Sequence, residues 1–265
     1  MTAHLQAADM AAGYDAGYWR GRGVGEAEWR LRQDLAALYR AVQRYGMSDL
    51  IYNHITARVP GEDEAILLNP YGLLYTEVSA SRLCKIRLNG DILYEPDIGL
   101  GLNPAAYVIH TAVHAARHDL QCVLHVHTRA STAVSAMECG LLPLSQQACL
   151  FHGRIAYHDF SGPEVLLPQQ ERLVQDLGGH HVAILRNHGL LVGGRTIAEA
   201  FFNLYWLESA CRIQVDAMAA GQLRLADAAA VQSTRDAFAR VPVRGEREWA
   251  AIRREMDRLD PSYRD

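Results

Sequence analysis

Histidines carry most of the chemistry this chain could perform. There are 12 of them in 265 residues, and three are spaced as metal ligands would be. His125 and His127 close the apolar run Cys122-Val123-Leu124-His125-Val126-His127. Alternate residues of a strand face the same way, so both imidazoles point to one side and can share one cation. A third candidate, His188, lies in Arg186-Asn187-His188-Gly189 after the apolar run Val182-Ala183-Ile184-Leu185, where Gly189 permits a sharp turn. Three neutral imidazoles with a coordination position left open describe a catalytic divalent-metal site. Zinc is the first expectation; manganese, iron(II) and cobalt suit the same donors.

The other histidines are less specific. His110, His114 and His118 recur at i, i+4 and i+8 and share one helix face. They suit a partly solvated polar stripe, with His110, nearest the helix start, also a candidate for contact with substrate or with a metal ligand. His54, in Tyr52-Asn53-His54-Ile55, and His158, in Tyr157-His158-Asp159, are expected in tight polar turns from which either could orient a ligand or substrate. His180-His181, after Gly178-Gly179, reads as a solvated turn.

A lysine mechanism has little room. The 26 basic residues include a single lysine, Lys85, so any Schiff base would have to form there. It lies in Leu83-Cys84-Lys85-Ile86-Arg87-Leu88, whose alternation places Lys85 and Arg87 on the wetter face of a strand. An enzyme of this composition would activate a carbonyl through a metal instead. No Gly-x-Gly-x-x-Gly follows a strand and no Walker A sequence occurs, so nucleotide binding is not expected.

The elements that must hold these residues are legible in outline. A glycine- and tyrosine-bearing irregular arm over 1–25 precedes a helix from about Glu26 to Tyr45, with Leu31, Leu35, Leu38 and Val42 on one face. Strands follow at Ile51–Val59 and Ala65–Leu68 around the turn Pro60-Gly61-Glu62-Asp63, then at Cys84–Leu88 and Ile92–Tyr94 around Asn89-Gly90. Pro104 opens a helix to about Arg117. Beyond it are expected a strand at Cys122–Val126, a helix at Ala130–Cys139, strands at Phe151–Tyr157 and Val182–Leu185, and between these two a helix at Pro163–Leu177. A capping box, Thr196-Ile197-Ala198-Glu199, starts a long helix ending near Gly221. The last 40 or so residues read as charged and helical. Hairpins preceding helices predict a mixed sheet flanked by helices, not a doubly wound parallel sheet. The domain division expected is an arm over 1–25, one domain over 26–221 and a helical extension over 222–265.

Composition sets bounds. Hydrophobic residues make up 49 % and charged residues 21 %, as in ordinary globular chains. A formal net charge of −4 argues against a fold-wide basic field for nucleic acid. No apolar run approaches the roughly 18 residues of a membrane span, and no secretory signal is expected at Met1-Thr2-Ala3-His4. Five cysteines, an odd number without a Cys-x-x-Cys pair, suit a reduced cytoplasmic protein.

Taken together, Leu120–Thr128 with its His-x-His and the downstream Leu185-Arg186-Asn187-His188-Gly189-Leu190 resemble the class II aldolase/adducin family over about Glu28 to Gly221. Asn69-Pro70-Tyr71-Gly72-Leu73-Leu74-Tyr75, Val134-Ser135-Ala136-Met137, Gly140-Leu141-Leu142-Pro143 and Ala156-Tyr157-His158-Asp159 resemble its adducin-head branch more than its sugar-phosphate aldolases. The resemblance implies a three-layer α/β/α sandwich with a mixed, largely antiparallel central sheet. It also implies a homotetramer with sites at subunit interfaces, and His125, His127 and His188 as ligands of one divalent ion per subunit.

Departures from the family pattern shape the expected reaction. Family aldolases carry Ser-Ser-Glu, with the Glu as acid/base, before the His-x-His strand; here Leu102-Asn103-Pro104-Ala105-Ala106 stands there, and the Glu position falls near Ala106. The family's phosphate loops, Gly-Asn-x-Ser and Thr-Pro-Ser/Thr-Gly, read Tyr52-Asn53-His54-Ile55 and Asn69-Pro70-Tyr71-Gly72. An unphosphorylated small molecule, aromatic or carboxylated, is therefore expected. A three-histidine metal can stabilise an enolate as a Lewis acid, in aldol cleavage or in decarboxylation, which needs no initial deprotonation. Removal of a hydroxyl proton would fall to metal-bound hydroxide, His110, Glu77 or a tyrosine. Asn53, Tyr71 and Arg129 are the expected substrate contacts, Arg129 through a carboxylate, although a structural salt bridge suits it equally. Tyr205 and Glu208, on the long helix, read as packing or surface residues. Two other functions remain open at this level: a non-catalytic adducin-like assembly module, and an iron(II) oxygenase on the same scaffold.

Overall fold

Helix α1 (Glu26–Arg44) ends within one residue of the boundary its apolar spacing predicts. The computed structural model in which it stands describes residues 23–102, 104–162, 167–241 and 244–265, with backbone alone at 104–106 and 167. The arm expected over 1–25 thus lies almost wholly outside the described residues. Leu35, Leu38 and Val42 are fully buried, as their face requires. So is Arg32, whose guanidinium donates to Glu28 at 2.9 Å and to the Leu83 carbonyl at 2.8 Å. Lys85 joins the same network, 2.9 Å from Glu28 and 2.7 Å from Glu62. The chain's one lysine is an ion-pair partner, which leaves no free amine for a Schiff base.

Four strands follow as an antiparallel meander: β1 (His54–Arg58), β2 (Ala65–Leu68), β3 (Cys84–Arg87) and β4 (Ile92–Tyr94). Gly90, at φ +94°, makes the Asn89-Gly90 hairpin turn. Next come α2 (Pro104–Ala116), β5 (Cys122–Val126), α3 (Arg129–Ser135), α4 (Gln146–Phe151), β6 (Ile155–His158), α5 (Leu167–Leu177), β7 (Val182–Leu185) and β8 (Gly189–Gly194). The chain closes with α6 (Ile197–Ala220), α7 (Ala228–Ala239) and α8 (Glu246–Leu259). The eight strands form one sheet in the order β4-β3-β2-β1-β5-β8-β7-β6, in which only β6 and β7 run parallel.

Helices cover both faces, so the fold is the expected three-layer α/β/α sandwich with a mixed, largely antiparallel sheet. One layer joins Ile109 and Val113 of α2 to Leu173 and Leu177 of α5 over Val123, Ala183, Leu185 and Leu191. The larger core on the opposite face gathers α1, α6 and the C-terminal Trp249, Met256 and Tyr263 over Ile55, Leu124, Ile184 and Val192. No helix among the described residues is long and apolar enough to cross a membrane.

Four local expectations are corrected. β1 starts at His54, not Ile51, because Leu50 takes a left-handed φ of +48° and Tyr52 N–H closes a turn on Asp49. Phe151 ends a helix: Ser145 caps α4 through Ala148 N–H, and Gly153, at φ +69°, separates it from β6. The helix expected to Cys139 stops at Ser135. Strand β8 was not foreseen; it lies between β5 and β7 and is buried throughout, so it lacks the alternation that marks a half-exposed strand. Residues 163–166 of the helix expected at Pro163–Leu177 lie outside the described residues.

Candidate metal centre

Three strand ends meet where β5 and β8 run side by side. His125 is the fourth residue of β5, His127 follows its end, and His188 precedes the first residue of β8. The antiparallel register pairs Val126 with Leu190 and Leu185 with Gly189, so backbone bonds between central strands hold the two segments carrying the histidines side by side at the strand ends. One ring nitrogen from each histidine falls within 4.8 Å of the others. The His188 ring stacks on His127 at 4.6 Å and stands edge-on to His125 at 4.7 Å.

The turn that delivers His188 differs from the expected one. Asn187, not Gly189, takes the left-handed conformation, at φ +56°, which asparagine tolerates. Gly189 is needed for closeness: a Cβ there would sit 2.2 Å from the Val126 carbonyl oxygen.

Hydrogen bonds orient two of the rings. His125 Nδ1 donates to the Leu190 carbonyl at 2.9 Å. His127 Nδ1 lies 3.3 Å from Asp49 Oδ2, so its hydrogen also points outward. Each ring then turns a bare Nε2 inward, and these two atoms are 2.7 Å apart. Lone pairs facing one another at that distance require a cation or a shared proton. Burial pushes His188 down to about 4, with the His127 ring adding to the effect, and holds His125 well below the usual imidazole range. A shared proton is therefore disfavoured, and the donor set fits a divalent cation. Asp49 was missed from the sequence, since no local spacing ties residue 49 to residue 127. A carboxylate on the outer nitrogen of a ligand histidine fixes its tautomer. Asp49→Ala is expected to weaken zinc binding about 10–100-fold at nearly unchanged Tm, read by competition with a chromophoric chelator; unaltered affinity would remove Asp49 from the site.

Glu208, expected to pack or to lie at the surface, packs: it is buried on α6 and accepts from Thr128, the N-cap of α3 directly after His127, and from Arg212 at 2.7 Å. Burial raises its pKa.

The remaining candidates divide. His54 is not in a turn: it opens β1, directly opposite His125, and burial holds it down at about 4. His110 and His114 are not a solvated stripe; both are buried and both meet the Thr56 hydroxyl, whereas His118 lies beyond the helix and is exposed. His158 ends β6, with Nδ1 2.6 Å from Asp176. Asn53 is fully buried with neither amide atom partnered. Tyr71 is half-buried, its N–H donating to the Gly101 carbonyl at 2.8 Å. Arg129 opens α3 and is exposed. Glu77 is exposed, and its carboxylate accepts the Leu74 N–H at 2.8 Å. The side chain of Ala106 lies outside the described residues.

This many neutral buried imidazoles make folding sensitive to acid. The unfolded chain titrates its histidines near about 6.5, whereas folded His54 and His114 titrate at about 4 and about 3. Below pH 6.5 the unfolded state binds more protons, so stability is complete above that value and falls as the pH drops toward 4 and 3. Each pH unit in that window removes up to about 1.4 kcal/mol per such group. In metal-free protein Tm is expected to fall steeply from pH 7.5 to 5; a flat profile by circular dichroism would contradict the assigned burial.

Residues 33–215 match the class II aldolase and adducin N-terminal domain family. A crystal structure of an aldolase II superfamily protein from Pseudomonas syringae superposes with a TM-score of 0.88 at 46 % identity, covering 93 % of this chain and 99 % of that one. An L-fuculose 1-phosphate aldolase from Glaciozyma antarctica superposes with a TM-score of 0.80 at 27 % identity, covering 91 % and 93 %. Alpha-adducin of Rattus norvegicus is 48 % identical over 197 residues, 73 % of this chain but 26 % of that protein.

Proposed function

Because the chain belongs to the class II aldolase and adducin family, we propose that it is a metal-dependent carbon–carbon lyase acting on an unphosphorylated, carboxylated or aromatic small molecule. The observation that carries this reading is the convergence of His125, His127 and His188, with two Nε2 atoms turned to one point. These three residues would hold a divalent ion, zinc first, with manganese, iron or cobalt as substitutes. Such an ion supplies Lewis acidity toward the carbonyl, hydroxyl or carboxylate of a reactant in aldol cleavage or decarboxylation.

The chain's own residues supply the rest. His110 is neutral and buried, with Nε2 unpartnered, and accepts the hydrogen of the substrate hydroxyl. It takes precedence over Glu77, whose carboxylate is committed to its own turn. Asn53 offers an unpaired amide to the substrate. Tyr71 and the exposed Arg129 complete the proposed contacts, the latter to a carboxylate. A cytoplasmic homotetramer with sites at subunit interfaces belongs to the same proposal, as does a division into an arm over 1–25, a catalytic domain over 26–221 and a helical extension over 222–265.

The decisive experiment is metal analysis followed by a screen of unphosphorylated aldols and hydroxy-aromatic acids, with and without chelator. Chelator-sensitive release of a carbonyl fragment or carbon dioxide is the expected result. A second reading, a non-catalytic module of the adducin kind, draws on the 48 % identity to alpha-adducin; metal well below one equivalent per chain would favour it. Oxygen uptake with the same substrates would point to an iron(II) oxygenase.

Sugar phosphates are expected to be poor substrates despite the likeness to a fuculose-phosphate aldolase. The Asn69 side chain, in the second loop, is taken up internally: its Oδ1 accepts from Tyr39 at 2.8 Å and its Nδ2 donates to the Pro70 carbonyl at 3.2 Å. Loss of two hydrogen bonds to a charged phosphate costs about 3 kcal/mol or more, roughly a hundredfold in kcat/KM. Efficient cleavage of L-fuculose 1-phosphate would overturn the loop assignment.

A further inference from the structure

His127 is the one candidate ligand that follows a strand without belonging to it. His125 lies inside β5, paired with β1 on one side and β8 on the other. His127 stands one residue past the end of β5, and it is half-buried. Its place is set by a neighbour on each side. Along the chain the neighbour is Thr128, the buried N-cap of α3, whose hydroxyl accepts the Ser131 N–H at 3.1 Å. That hydroxyl has one hydrogen to give. It goes to Glu208 Oε2, because a carboxylate is a stronger acceptor than the Ser131 hydroxyl 2.7 Å away. Across space the neighbour is Asp49, whose Oδ2 is 3.3 Å from His127 Nδ1.

Both neighbours lead back to one carboxylate on α6. Glu208 Oε2 takes Thr128, and Oε1 takes Arg212 Nε at 2.7 Å. The same guanidinium donates through Nη2 to the carbonyls of Tyr45 and Gly46, at 3.3 Å and 3.1 Å. Tyr45 caps the end of α1, and Asp49 follows Gly46 by three residues. Left-handed residues, Gly46 at φ +66° and Leu50 at φ +48°, bracket that short segment, which leaves little slack between the anchored carbonyls and the Asp49 carboxylate. The Tyr45 ring adds an edge-on contact with Tyr205 of α6 at 5.5 Å. An ordinary i, i+4 ion pair on a helix surface contributes little and does not require burial. Here Glu208 is buried while Arg212 is exposed. Burying a carboxylate costs stability, and this one reaches, directly and through Arg212, the two segments that flank His127.

We propose that Glu208 and Arg212 are positioning residues for the metal centre: from one helix they fix Thr128 and the carbonyls ahead of Asp49, and so hold the His127 ring from both sides. Their effect on metal binding rests on reading His125, His127 and His188 as ligands; their hold on the His127 ring does not. Substitutions that touch neither a ligand nor a reactant then loosen one ligand selectively, while His125 and His188 keep their places on β5 and at the start of β8.

The test measures zinc affinity, by competition with a chromophoric chelator, in wild type, Glu208→Gln and Arg212→Ala, each with His127 present and with His127→Ala. Both variants are expected to bind zinc about tenfold more weakly than wild type, and to have no further effect once His127 is alanine. A merely structural role would cost the same in both backgrounds. Thr128→Ser, which keeps the hydroxyl, is expected to hold zinc as wild type does, and Thr128→Val to lose affinity as Glu208→Gln does. Wild-type affinity in Glu208→Gln and Arg212→Ala, or an equal loss with and without His127, overturns the proposal. If Glu208→Gln does not fold, Arg212→Ala, which removes an exposed side chain, decides. A metal-free arm separates this proposal from the metal reading. Nitrogen NMR of protein labelled with 15N-histidine, with His127 assigned by its loss in His127→Ala, is expected to show the hydrogen on Nδ1 in wild type and a mixture of tautomers in Arg212→Ala. If wild type takes up no zinc, this arm decides: a tautomer that responds to Arg212→Ala upholds the positioning role and rejects the metal reading instead, and one that does not respond overturns both.

Discussion

His127→Ala is expected to lower zinc affinity by about 10²–10³-fold and to abolish metal-dependent turnover while the chain stays folded. The size follows from four-ligand zinc sites, whose binding free energies of roughly 10–16 kcal/mol amount to about 2.5–4 kcal/mol per ligand. His127 is a cleaner probe than its neighbour. His125 is buried and donates to the Leu190 carbonyl, so its removal would strand that acceptor inside the sheet and cost about 1–3 kcal/mol of stability besides. His127 is half-buried, and Asp49, which accepts from its outer nitrogen, is exposed enough to be solvated. Loss of the ring removes stacking on His188 and the Nε2 contact with His125, but leaves the His125 bond to the Leu190 carbonyl in place. Metal content after dialysis, circular dichroism and gel filtration together decide the matter. A folded variant that still retains one equivalent of zinc would remove His127 from the ligand set.

The three histidines were legible in the sequence because each belongs to a rule that acts over a few residues. His125 and His127 obey the strand period, and His188 stands at the end of a four-residue apolar run. Helix α1 and strand β7 were legible for the same reason. What the sequence concealed acts across the fold. Asp49, Thr56 and Glu208 meet His127, His110 and Thr128 across separations of 78, 54 and 80 residues. No periodicity links such pairs; the sheet order brings them together. Strand β8 was hidden differently, since a strand buried on both faces has no polar alternation to display. The helical histidines were misjudged because i, i+4 spacing identifies a shared face without saying whether water or a strand lies opposite. Here it is Thr56 of β1.

Gly189→Ala is expected to lower Tm by about 6–12 °C and to release the metal, although a single methyl group is added. A Cβ at this position would lie 2.2 Å from the Val126 carbonyl oxygen, 3.2 Å from its carbon and 3.3 Å from the His127 Cα. All three are backbone atoms, so no side-chain rotation can relieve the clash. The ladder must open where β8 leaves β5, at the register Val126–Leu190. Overpacking of this kind costs about 3 kcal/mol or more, and in a chain of this size each kcal/mol shifts Tm by about 2–4 °C. The site suffers beyond the loss of stability, because His127 and His188 flank the clash on either strand and separate as it is relieved. Gly179→Ala is the control: nothing lies within 4 Å of its Cβ, and its φ is not in the left-handed range. That substitution should leave Tm and zinc content unchanged. The discriminating measurement is zinc retention well below the melting range, where Gly189→Ala is still folded. Full occupancy there would show that the metal ligands do not depend on the close approach of these two strand ends.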